Sequence, residues 1–256
     1  CLVVSGCTEE RRQKKEECFL EYARENLEEK DYRKVKHIRQ EYFFRRNQKK
    51  AIWLFTDRFD KADDNGEAFF TYMCGKSLKT PKCIFVLDKS SPDYSRISKI
   101  GNTVWATSQE HGVLLALADY IFTSQLNGWV ENPYGELEEY FRDICHQSKV
   151  IFLQHGVTKD NQTAWLNRFN QNLHAIVTSA GQETKAFRTY PYYYEETQIW
   201  ETGMPRFDFL FDRKKQYLLF MPTWRRSCME QRMDEESGIY RWYLKENFYE
   251  SADRKS

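Results

Sequence analysis

The sequence has no Cys-x-x-Cys pair. Its seven cysteines, Cys1, Cys7, Cys18, Cys74, Cys83, Cys145 and Cys228, are odd in number and scattered. That excludes a zinc ribbon and gives no disulfide framework. A reduced, cytoplasmic compartment fits this usage. No apolar run is long enough to cross a bilayer. Neither charge is in excess, with 39 Lys and Arg against 38 Asp and Glu, which argues against a general nucleic-acid binder and leaves room only for local basic patches. There is no Walker P-loop and no G-x-G-x-x-G, so neither fingerprint nucleotide site is present. The chain also lacks an initiating methionine and is expected to be part of a longer one. "LVVSGC" ends at Cys7 in the manner of a lipoprotein cleavage box, but neither a charged start nor a proper apolar stretch precedes it. "NQT" at Asn161 matches a glycosylation sequon that a cytoplasmic protein would not use.

What is present is a soluble, aromatic-rich composition, 41% hydrophobic and 30% charged over 256 residues, enough for one large domain or two small ones. Residues 1–50 are expected to form a charged helical extension. From Thr8 onward, "TEERRQKKEECFLEYARENLEEKDYRKVKHIRQEYFFRRNQKK" has no Gly or Pro, and its acidic residues recur three or four positions from basic ones. The plainer reading is a helical pair packed beside the main domain. The sharper one is a basic amphipathic surface on anionic lipid, with "FFRRNQKK" as the contact.

From Ala51 the texture changes. "AIWLF", "CIFVL", "TVWA", "YIFTS", "KVIFLQ", "HAIVTS" and "QIWET" read as strands. "NGEAFFTYMCGKS", "QEHGVLLALAD", "YGELEEYFRDICHQ" and "GQETKAFRTYPY" read as helices or helix starts. This alternation predicts βαβ units and a mostly parallel sheet over residues 51–214, with ligands at the carboxyl ends of the strands. "DRKK" marks a boundary near residue 214. "QYLLFMPTWRR" then opens residues 215–256, read as the incomplete start of a second α/β domain.

Several motifs carry candidate chemistry. "LQHG" places His155 at a strand end, where a neutral imidazole can take a proton from an attacking hydroxyl. Gly156 would admit a substrate or a neighbouring backbone at close range. The alternative is a structural histidine capping a loop. "TGMPRFD" is a rigid turn in which Arg206 either pairs with Asp208 or faces a phosphorylated ligand through its bidentate fork. In "MPTWRR", Pro222 ends a strand, Thr223 can cap the following helix, and Arg225 and Arg226 lie near its N-terminus, a natural place for an anion. "DRFDKADDNGEAFF" ends a strand at Asp57 and offers Asp63 or Asp64 as N-cap. Its spacing does not match an EF-hand, so no metal is expected. His111 begins an apolar helix and can face the cleft, while His174 reads as structural.

In this order, "DR" with "ADDNGEAFF", "SRISKIGNTVWATSQEHGVLLALADYIFTSQ", "FLQHGVTKD", "VTSAGQE", "TGMPRFD" and "MPTWR" resemble the CDP-glycerol glycerophosphotransferase family of teichoic-acid and capsule polymerases. The resemblance runs from about Ala51 to Arg225. It implies a GT-B-like architecture of two Rossmann-like domains, the first on the acceptor side and the second binding CDP-polyol. It further implies transfer of glycerol phosphate or ribitol phosphate from CDP-glycerol or CDP-ribitol to a hydroxyl of a polyol-phosphate or lipid-linked glycan acceptor, with release of CMP. His155 maps onto the family histidine and would be the general base, with Gly156 beside it. Arg206, Thr223 and Arg225 would bind substrate phosphates. No cofactor is implied. Where some members read H-G-T-P this chain reads "HGVT". Members continue past "PTWR" with donor-site residues, so the segment ending at Ser256 is expected to be inactive alone. The expected location is the cytoplasm, on the inner face of a bacterial membrane when bound to it. The rival readings are a GT-B glycosyltransferase using a sugar nucleotide and a non-catalytic interaction module.

Overall fold

The computed structural model describes residues 9–48, 50–76, 78–126, 128, 132–145, 148–211, 229–233 and 240–244. The chain divides into two compact units, Cys1–Leu210 and Phe211–Ser256.

The first unit is built on seven strands: β1 (Ile52–Thr56), β2 (Lys82–Leu87), β3 (Thr103–Trp105), β4 (Tyr120–Thr123), β5 (Lys149–Phe152), β6 (Ala175–Thr178) and β7 (Ile199–Glu201). All pair in parallel, in the order β3-β2-β1-β4-β5-β6-β7. Leu54 lies opposite Ile84 on one side and Ile121 on the other, and Phe55 opposite Phe85 and Phe122. These strands are near-continuous apolar runs because both sheet faces are covered. Leu54, Ile84, Ile121 and Phe152 enter one core cluster, while Phe55, Phe85, Phe122 and Ile151 enter the other.

Helices α1 (Glu9–Asn26), α2 (Glu29–Arg45), α3 (Asn65–Gly75), α4 (Tyr94–Ile100), α5 (Gln109–Leu117), α6 (Arg142–Cys145) and α7 (Gly181–Thr189) supply the covering layers. Val35 and Ile38 of α2, Val113 to Leu115 of α5 and Phe187 of α7 cover the first face. Phe70 of α3 and Ile97 of α4 cover the second. "YGELEEYFRDICHQ" forms a 3-10 stretch over Gly135–Phe141 that runs into α6, rather than one α-helix. Helices α1 and α2 belong to this unit, pinned by Arg39. Its buried guanidinium donates to Glu16, to Asp143 and to the Tyr140 carbonyl at 2.7–2.9 Å, and it lies 3.9 Å from the centroid of Phe19. A buried cation is tolerable only with this complete a set of acceptors. Among the described residues, no helix is long and apolar enough to cross a membrane.

In the second unit the described elements are β8 (Met229–Met233) and β9 (Tyr240–Leu244), an antiparallel pair with Gln231 opposite Trp242. The expected strand and turn at "QYLLFMPTWRR" lie outside the described residues.

Candidate active site

The strand order reverses between β1 and β4, and the crevice beyond their carboxyl ends is where open α/β sheets take ligands. Asp57, fully buried, follows β1 there. Its Oδ1 accepts from Gly66 N at 2.7 Å and Ser124 Oγ at 2.5 Å, and its Oδ2 accepts from Asp64 N and Glu67 N, both at 3.1 Å. Burial pushes the Asp57 carboxyl up to about 6, against the pull of the four hydrogen bonds. The first turn of α3 sits this close only because Gly66 has no side chain: a Cβ would lie 2.4 Å from the Thr56 carbonyl. The amino end of α3 has therefore already taken an internal anion. The other long helices opening on this edge differ from one another. Ser108 Oγ accepts from His111 N on α5, and the buried Glu183 of α7 accepts from Ser179 N and Thr158 N, both at 2.7 Å. On α3 and α5 internal side chains thus take amides of the first turn, where an external anion would otherwise bind, whereas α7 has no side-chain cap and its Glu183 binds backbone that precedes the helix.

β5 ends at Phe152, and Leu153 N still reaches the Thr123 carbonyl at 2.8 Å. Gln154 then turns left-handed, with φ +59°, a conformation uncommon for a residue with a side chain. It is held there by its own amide. Nε2 donates to the Val177 carbonyl at 2.6 Å and to Glu183 at 3.0 Å, and Oε1 accepts from Thr158 Oγ1 at 2.6 Å. The inversion leaves Gln154 buried and His155 exposed. His155 lines a cavity of about 290 Å³ with Gly156, Lys159, Gln162 and Trp165. A Cβ built on Gly156 meets nothing within 4 Å, and its φ is not left-handed. No neighbouring backbone crowds Gly156, contrary to one half of the expectation. What remains is open space in the cavity wall.

Arg206 sits in the 3-10 turn Pro205–Phe209. Its guanidinium pairs with Asp64, not with the sequence-near Asp208. Asp64 is the N-cap of α3, with its side chain accepting from Asn65 N. Burial pushes the Asp64 carboxyl up, opposed by Arg206, by the Asn65 N–H and by His155. Asn65, fully buried, links the loops by accepting from Arg206 N at 3.1 Å and donating to the Gln154 carbonyl at 2.7 Å. The structure thus ties the loop that carries His155 and the turn that carries Arg206 to one side chain, Asn65, next to the Asp64 that pairs with Arg206. Thr223 and Arg225 lie outside the described residues. His111 does not face the cleft: it is buried, its Nδ1 accepts from Thr107 N at 3.1 Å, and burial lowers its pKa to about 4. His174 packs edge-on against Tyr120 and Trp200. Reading the sequence alone missed the parts played by Asn65, Gln154 and Glu183. All three lie within stretches already singled out, "ADDNGEAFF", "FLQHGVTKD" and "VTSAGQE". Among the described residues, no cluster of His, Cys, Asp or Glu is arranged to hold a metal ion.

An exposed imidazole, a half-buried carboxylate and a guanidinium thus lie at the carboxyl edge of the parallel sheet of an α/β protein, the edge where such sheets take ligands. The CDP-Glycerol:Poly(glycerophosphate) glycerophosphotransferase family matches residues 38–251, and the chain belongs to that family, one of transferases. It is similar to the minor teichoic acid biosynthesis protein GgaB of Bacillus subtilis (strain 168), 38% identical over 192 residues that cover 75% of this chain and 21% of that protein. The chain therefore spans about a fifth of that relative's length. Two solved structures of the wall teichoic acid polymerase TagF, both of variants and one soaked with CDPG, are 14% identical, with TM-scores of 0.43. They cover 71% and 73% of this chain and 49% and 50% of their own.

Proposed function

We propose that this chain is the acceptor-side part of an enzyme of teichoic-acid type polymer synthesis that transfers a polyol phosphate from a CDP-polyol to an acceptor hydroxyl. The observation that carries the reading is the placement of His155. It is an exposed imidazole at the carboxyl edge, it lines a cavity, and its loop is joined through Asn65 to the turn of Arg206, which pairs with Asp64. In the reaction the acceptor oxygen attacks the β-phosphorus of the donor. The bond from that phosphorus to the bridging oxygen of CMP breaks, CMP leaves, and the hydroxyl proton passes to His155. Phosphoryl transfer of this kind needs alignment and charge stabilisation more than covalent participation. Arg206, its side chain 36% exposed, can exchange Asp64 for a donor phosphate oxygen.

The internal caps of α3 and α5 support the acceptor-side assignment, since those two helix N-termini already spend first-turn amides on Asp57 and Ser108 rather than on the donor's pyrophosphate. Donor binding then falls to a second Rossmann-like domain in a GT-B-like arrangement, with Thr223 and Arg225 on that side. The polyol is glycerol or ribitol, and the acceptor is a polyol-phosphate chain or a lipid-linked glycan. The work is done in the cytoplasm, with the basic residues near Arg45 and Arg46 meeting an anionic membrane surface. The test is CMP release by the full-length gene product beside His155→Ala. Vesicle co-sedimentation tests the membrane part, and equal binding to neutral and anionic lipid would refute it.

A further inference from the structure

We propose that Asn65 is a positioning residue whose side-chain amide sets the spacing between the His155 loop and the Arg206 turn. For its catalytic half the inference rests on the phosphotransfer reading above. Asn65 is a fully buried polar side chain, and it uses both its donor and its acceptor on backbone groups of two loops remote in sequence. Nδ2 donates to the Gln154 carbonyl at 2.7 Å, in the peptide group that joins Gln154 to His155, and reaches the Leu153 carbonyl at 3.5 Å. Oδ1 accepts from the amide of Arg206 itself, at 3.1 Å. A short amide can do this because donor and acceptor diverge from one carbon atom. A carboxylate lacks the donor, and an aliphatic side chain lacks both.

The bracket is stiff at its base. Asn65 opens α3, whose first turn is fastened to Asp57 through Gly66 N and Glu67 N and fitted against β1 with no room for a Cβ at Gly66. The Gln154 side of the loop is tied independently to Val177 and Glu183. The two groups that must converge on the transferred phosphate are thus referenced to one buried side chain. Reactions that depend on alignment respond steeply to small displacements of such groups.

The test compares wild type with Asn65→Asp, which keeps the shape and removes the donor, in the full-length protein. Asn65→Ser, whose hydroxyl is too short to span both groups, takes its place if the aspartate variant fails to fold. Hydrogen exchange reads the bracket without any donor. Amides of residues 155–158 are expected to exchange about tenfold faster in either variant, as loss of one buried hydrogen bond implies, and that of Arg206 faster only in Asn65→Ser, because an aspartate oxygen still accepts from it. In the CMP-release assay kcat is expected to fall on the order of 100-fold, with donor KM changed less than about threefold, the split that separates misalignment from weakened binding. Exchange changes confined to α3, or loosened loops with unchanged kcat, would overturn the proposal. A wild type that releases CMP from no donor would overturn the phosphotransfer reading instead, while the exchange data still decide whether Asn65 holds the two loops.

Discussion

Asp57→Asn probes the filled amino end of α3 with an almost isosteric change. The asparagine oxygen can keep Ser124 Oγ and Gly66 N, but its NH2 group would face Asp64 N and Glu67 N, two donors. Each buried N–H left without an acceptor costs about 1–3 kcal/mol. Against this stands relief from holding a buried carboxylate. Its pKa rises from 3.8 to about 6, which corresponds to about 3 kcal/mol. The terms nearly cancel at neutral pH, leaving a net loss of about 1–2 kcal/mol, so pH dependence is the sharper signature. The folded pKa lies above the unfolded one. Below pH 4 both states hold the proton, and between about 4 and 6 the unfolded chain releases it first. Wild type should therefore lose about 3 kcal/mol relative to the asparagine variant as pH rises through that window, and the difference should be flat above about pH 7. Urea denaturation of both proteins from pH 4 to 8 measures it, with other titrating groups cancelling in the difference. A pH-independent difference, or a wild type that gains on the variant through the window, would show that burial does not raise the Asp57 pKa. The latter would mean that the four hydrogen bonds outweigh desolvation.

Gly66→Ala should destabilise the protein by about 2–4 kcal/mol, because the new methyl meets a backbone carbonyl that cannot move without shifting β1. A loss below about 0.5 kcal/mol in urea denaturation would show that α3 and β1 are less tightly fitted. Arg39→Met should cost about 3 kcal/mol through loss of the bonds to Glu16, Asp143 and Tyr140, and a thermally neutral variant would contradict that role. Arg206→Lys keeps the charge and loses the fork. Donor KM is expected to rise about tenfold with a smaller change in kcat, and an unchanged KM would confine Arg206 to holding Asp64.

The strands were legible because a sheet covered on both faces writes itself as short apolar runs, and "CIFVL" or "KVIFLQ" admit few other readings. Helix α4 went unread because "YSRISKI" buries only Ile97, too little for a periodic signal. His155 and Arg206 stood out as a histidine after a strand and an arginine in a Gly-Pro turn. Their surroundings did not. The partner of Arg206 was sought two residues away at Asp208, whereas the fold supplies Asp64, 142 positions distant in the chain. Asn65, Gln154 and Glu183 are polar residues that meet only when β1, β5 and β6 align, and local sequence carries no mark of such meetings. His111 shows the converse. An apolar helix start reveals burial but not which way the imidazole turns, and the fold directs it inward to Thr107.

In the proposed reaction His155 accepts the acceptor proton during transfer of a polyol phosphate. That role is tested most directly by CMP release from CDP-glycerol and CDP-ribitol, with UDP-glucose as control, using the full-length gene product and His155→Ala. CMP is expected from one CDP-polyol, reduced on the order of 10²–10⁴-fold in the variant, the usual worth of a general base. An alanine variant that keeps the wild-type rate, or a folded wild type that releases CMP from neither CDP-polyol, would contradict it.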